Sequence, residues 1–87
     1  MAWKITVDHI SDPAWPAETS RVGRGNYPKG VRDSMMKHKW RAFDADGELY
    51  YEGISSDDSD FAPLDFATAD AGATVLKYKV GNAWKEL

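Results

Sequence analysis

Apolar and polar residues alternate from the start of the chain, where Trp3, Ile5, Val7 and His9 interleave with Lys4, Thr6, Asp8 and Ile10. A period of two rests one side of a strand on a core and turns the other to water, so a first strand is predicted here. Pro13 and Pro16 lack backbone donors and resist ladder pairing, which ends that strand near Ser11. No clear period follows. Gly23, Gly25, Pro28 and Gly30 punctuate a long Pro/Gly-rich basic loop over residues 13–37, with room for a short helical turn around residues 31–36. Loops of this length in small domains either carry function or move.

Alternation returns in KWRAF and ELYYEGI, which flank DADG. Asp-Gly between β-type runs predicts a hairpin, because glycine accepts the positive φ of the turn. With Ala45, Asp46 and Gly47 as a three-residue turn, Phe43 faces Leu49 and Arg41 faces Tyr51, while Trp40, Ala42 and Tyr50 take the other side. Large apolar groups on both sides place this hairpin in the middle of a sheet. SSDDSDFAPLDFATADAGA then breaks the pattern. Phe61, Leu64 and Phe66 favour neither period, so the segment is expected to be an irregular plug for one end of the core, with Asp60 or Ser59 capping a short helical turn.

The last element is TVLKYKV, GN, AWKEL. Gly81-Asn82 predicts a two-residue turn that pairs Val80 with Ala83, Lys79 with Trp84, Lys77 with Glu86 and Leu76 with Leu87. Lys77 and Glu86 then meet as opposite charges. The expected fold is mainly β: a small antiparallel sheet of about five strands, two hairpins plus an N-terminal strand, with at most one or two short helical turns. Trp3, Ile5, Val7, Phe43, Leu49, Leu76, Tyr78 and Val80 are the expected core face.

Length makes residues 1–87 a single domain, and a chain this short buries only roughly 60 to 65% of its unfolded surface. Its 43% hydrophobic and 13% aromatic content, with four Trp, is too apolar for a disordered chain. Cysteine is absent, so neither a disulfide nor a thiolate metal site staples the fold and packing must hold it. The N-terminus has no apolar run of the signal-peptide kind, and no stretch is long enough to span a bilayer. A cytoplasmic location away from membranes is therefore expected.

Net charge is −3, but it is segregated. Residues 21–41 hold seven bases against one acid, Asp33, whereas residues 42–70 hold nine acids and no base. Either the two segments lie together and neutralise, or they form faces of opposite sign open to a charged partner.

Candidate chemistry is sparse. Aligning Gly47 with the glycine of a calcium-binding EF-hand loop puts Ala42 and Gly53 where the end ligands belong, so DADG reads as a turn. Asp57, Asp58 and Asp60 read as a solvated acidic loop, and Asp8 and His9 point to opposite faces of a strand. No metal, cofactor or catalytic residues are expected: no Ser or Thr has a nucleophile elbow, and the carboxylates sit mostly in turns. GRGNYPKG lacks the spacing of a phosphate-binding loop.

The segments WKITVDHISD, KHKWRAFDADGELYYEGISSDDSDFAPLDF and DAGATVLKYKVGNAWKEL resemble a group of short, stand-alone bacterial proteins of unknown function. The shared features are a W-x-I-T start, a D-x-D-G-x-x-Y-Y-E-G hairpin, an F-A-P-L-D segment and an aromatic C-terminal hairpin. The resemblance skips the loop and implies a compact bacterial domain, without an activity. Four Trp and four Tyr in so short a chain point to a non-catalytic domain that binds an unidentified protein partner, as a monomer or weak homodimer. Trp15, Tyr51 and Trp84 are the candidate anchors. The alternative is single-stranded nucleic-acid binding by Arg21, Arg24, Tyr27, Lys29 and Arg32, which combine phosphate-seeking charge with a stacking ring.

Overall fold

A computed structural model describes residues 1–12 and 14–87. Pro13, counted above among the strand-ending prolines, lies outside the described residues. Six antiparallel strands form one open sheet: β1 (Trp3–Asp8), β2 (Gly25–Asn26), β3 (His38–Phe43), β4 (Leu49–Ser55), β5 (Val75–Val80) and β6 (Ala83–Glu86). They lie in the order β2-β1-β4-β3-β5-β6, so the first hairpin is central as expected. Short 3-10 turns at Ala17–Thr19 and Asp33–Met35 interrupt the long loop.

Both turns form as the sequence implies. Asp44 Oδ1 accepts from the backbone N–H of Asp46 and Glu48, and Gly47 has φ 83°. Gly81 has φ 62°, and Val80 pairs with Ala83, Lys79 with Trp84 and Lys77 with Glu86.

Residues 55–73 depart from expectation. In place of an irregular plug, Ala62–Ala71 forms a ten-residue helix, α1, that lies on one face of the sheet. Pro63, Phe66, Ala67, Asp70 and Ala71 recur at intervals of three and four, one stripe of a helix. Alanine lets that stripe approach closely. Gly72 ends the helix with φ 79°, its N–H donating to the Thr68 carbonyl, while Asp60 Oδ1 accepts from Ala62 N–H just ahead of it.

The core lies between α1 and the sheet: Trp3, Ile5, Trp40, Ala42, Tyr51, Leu76 and Tyr78 from the strands, with Ala67 and Ala73. Trp3 meets Trp40 edge-on at 6.1 Å and Phe66 at 5.7 Å. Two extra residues correct the expected core face. The ladder shifts between Ile5 and Val7, so Thr6 is unpaired and Val7 emerges beside Glu52, 39% exposed. A second shift at Tyr50 keeps Phe43 opposite Leu49 but sets Ala42 opposite Tyr51 and Arg41 opposite Glu52. Each extra residue reverses which side the following residues face. Trp40, Ala42 and Tyr51 are therefore inside, and Phe43 and Leu49 lie on the open side. Val80 ends its strand 46% exposed.

Buried polar groups are paired. Trp40 Nε1 donates to the Ile54 carbonyl, Tyr78 Oη to the Asp60 carbonyl and Tyr51 Oη to Asp70 Oδ2. No helix among the described residues is long and apolar enough to cross a membrane.

Candidate functional site

The helix covers one side of the sheet and leaves the other open. Alternation along β1, β4, β3, β5 and β6 sends Lys4, Ile54, Glu52, Lys39, Arg41, Phe43, Lys77, Lys79, Trp84 and Glu86 to that open side. Five cations face two carboxylates there, in a chain whose net charge is −3. The sign of this face is opposite to that of the whole molecule.

Its charges divide into two rows. In one, Val7, Glu52, Arg41, Lys77 and Glu86 follow one another across the strands. Arg41 Nε donates to Glu52 Oε1 at 2.9 Å, and His9 Nε2 lies 2.7 Å from Glu52 Oε2. The His9 and Arg41 hydrogen bonds outweigh partial burial and hold the Glu52 carboxyl below its ordinary range. The other row runs through Lys4, Ile54, Lys39, Lys79 and Trp84. Lys4 pairs with Asp33 at 2.7 Å, whereas Lys39 and Lys79 have no ion-pair partner among the described residues; nor has Lys77 in the first row. A groove of about 260 Å³ runs between these rows, lined by Lys39, Arg41, Ile54, Lys79 and Trp84.

The two aromatic rings on this face already carry cations. Arg41 lies over the Trp84 ring at 4.2 Å, with Lys79 Nζ 5.9 Å from it, and Lys77 Nζ is 5.1 Å from the Phe43 ring.

A second concavity, of about 550 Å³, opens where the loop after β1 meets the C-terminal end of α1. Ile10, Trp15 and Tyr50 supply its apolar lining, Arg21 and Asp70 line it as a pair, and the exposed Glu48 stands at its edge. Asp8 ties the adjoining loop together, accepting from the backbone N–H of Ile10, Ser11 and Arg21. Arg21 Nε reaches Asp70 Oδ2 at 2.9 Å, which raises the guanidinium above its ordinary value. Burial and the Asp70 hydrogen bond push the Tyr51 phenol up as well.

The sequence-derived candidates therefore separate. Trp84 lies on the open face. Trp15 is 55% exposed at the cleft, together with Arg21. Tyr51 is corrected: at 1% exposure it is a core residue, because the shift at Tyr50 turns it inward, although it also borders the cleft. Arg24, Tyr27, Lys29 and Arg32 stay exposed along the loop, with the Tyr27 hydroxyl donating to the Gly23 carbonyl and Lys4 Nζ 5.7 Å from its ring. Arg21 is turned away from them into its pair with Asp70. Sequence reasoning missed Lys39, Lys77 and Lys79, although their alternation with Trp40, Leu76 and Tyr78 marked them as one face.

No known protein family, characterised protein or solved structure matches this chain.

Proposed function

We propose that this is a non-catalytic binding domain that holds an acidic segment of a partner protein across the open face of its sheet. The observation that carries the reading is the trio Lys39, Lys77 and Lys79: three ammonium groups on adjacent strands, without carboxylate partners among the described residues, beside the part-buried Trp84. Opposite charge draws the partner in, and the Trp84 and Ile54 surface supplies the apolar contact that retains it. Asp8, Tyr51 and Glu52, whose titration is shifted, are engaged in hydrogen bonds that hold the fold, which supports binding in preference to chemistry. The resemblance to short bacterial proteins suggests a bacterium as the setting.

Single-stranded nucleic acid is the competing ligand, favoured by a row that mixes lysines with Trp84. A base would have to displace Arg41 from Trp84 or Lys77 from Phe43, so the acidic peptide is preferred.

Fluorescence anisotropy of a labelled Asp/Glu-rich peptide at low salt tests this. Binding should weaken as salt rises, fall about tenfold in Trp84→Ala, and vanish when Lys39 and Lys79 are both replaced by Glu. A flat peptide titration, or tighter binding of an oligothymidylate than of the peptide, would overturn the assignment.

A further inference from the structure

The cleft between the loop after β1 and the end of α1 lies on a different surface and is independent of the reading above. Its chemistry is the reverse of the open face. Trp15 and Tyr50 offer aromatic surface, and Ile10 extends it. The one cation in the lining, Arg21, is already bound: Nε bonds both oxygens of Asp70, and Nη1 donates to the Thr19 carbonyl. Glu48 at the rim has no ion-pair partner among the described residues. Asp44 and Asp46 stand nearby on the same turn, and burial together with these three carboxylates raises the Tyr50 phenol. The mouth of the cleft is thus aromatic and negative, while the one positive group among its described lining residues is spent.

A neutral apolar ligand would use the walls and leave the Glu48 charge idle. An anion would meet Glu48 and Asp70 with no free cation among the described lining residues to receive it. A cation gains twice, from the ring faces and from the rim carboxylate, the combination by which aromatic sites recognise ammonium and guanidinium groups. We infer that this cleft receives a cationic side chain, a lysine ammonium or arginine guanidinium, presented by a basic segment of a partner protein.

The test is an NMR titration of the isotope-labelled full chain with three blocked peptides identical except at the central residue: lysine, its neutral isostere norleucine, and glutamate. The lysine peptide should shift the Trp15 indole and the backbone signals of Glu48 and Tyr50, and bind about tenfold more tightly than the norleucine peptide. Glu48→Gln should remove most of that preference, and Trp15→Ala should abolish binding; both side chains are exposed and outside the core, so the amide spectrum elsewhere reports an intact fold. Equal affinity for lysine and norleucine would overturn the inference by making the cleft a plain apolar pocket. Shifts at Trp84 in place of Trp15, or no shifts at millimolar peptide, would overturn it equally.

Discussion

Gly53 shows how one residue sets the packing of the central strands. A Cβ there would collide with the Lys4 carbonyl on one side and the Trp40 indole on the other. Its absence lets the Trp40 ring lie flat across β4 and donate to the Ile54 carbonyl. Gly53→Ala should therefore destabilise the domain by about 3 kcal/mol, toward the upper end for overpacking, and thermal melts followed by circular dichroism should show a drop of well over 10 °C, at roughly 4 to 8 °C per kcal/mol for a domain this small. An unchanged melting temperature would mean that the two strands separate more easily than their packing implies. Tyr78 offers a second test. Burial pushes its phenol up to about 12, above the ordinary value of about 10. The folded state binds that proton more tightly than the unfolded state, so the contribution is complete below about pH 10 and is lost as pH rises through about 12. Tyr78→Phe should abolish this part of the alkaline transition, as read by urea midpoints across that range.

The loop after β1 and the helix show two ways in which a weakly patterned segment is held. The loop closes on one carboxylate. Asp8 accepts from three backbone N–H groups and from Ser11 Oγ, bonds that outweigh its partial burial and keep it ionised below the ordinary Asp range. Asp8→Ala should cost about 2 kcal/mol, the usual value for hydrogen bonds to a charged group, and speed limited proteolysis between residues 9 and 24. Cleavage at the wild-type rate would show that pairing of Gly25–Asn26 with β1 already holds the loop. The helix was less legible than the strands because its inward stripe mixes Pro63, Phe66 and Asp70 with the small Ala67 and Ala71, which gives little periodic apolar signal. Pro63 in its first turn and Gly72 just past its end were the available signs. Gly72→Ala forces a side chain into φ 79° and should lower stability by about 1 kcal/mol in chemical denaturation.

Across the whole molecule, charge is distributed by side rather than by segment. Arg21 meets Asp70 and Arg41 meets Glu52, so part of the basic segment does neutralise the acidic one. Lys39, Lys77 and Lys79 remain as a positive face, while the carboxylates around Tyr50 stay together on the turn. Asp8 and Glu52 both titrate below their ordinary range, so their stabilisation is present above about pH 4 and is lost as pH falls through the lowered values. Glu52→Gln should flatten the acid limb of stability measured by urea midpoints from neutral to strongly acidic pH. By itself the sequence determined the five longer strands, both turns and the pairing of the last hairpin, because these follow from local alternation and from glycines placed where the backbone needs positive φ, whereas the two-residue β2 in the long loop carries no such signal. The buried faces of β5 and of the start of β1 also follow from alternation, since Trp3, Ile5, Leu76 and Tyr78 are inside as expected, but the buried face of the β3–β4 hairpin was decided only in the assembled sheet. Both sides of the β3–β4 hairpin carry large apolar residues, and the extra residues at Thr6 and Tyr50 reverse the alternation that a pattern assumes to be unbroken. The same holds for the two candidate surfaces: the lysine face combines β3 and β5, and the cleft joins Arg21 to Asp70 across 49 positions of chain. No periodicity reports such a meeting, since it depends on where the helix comes to rest against the sheet.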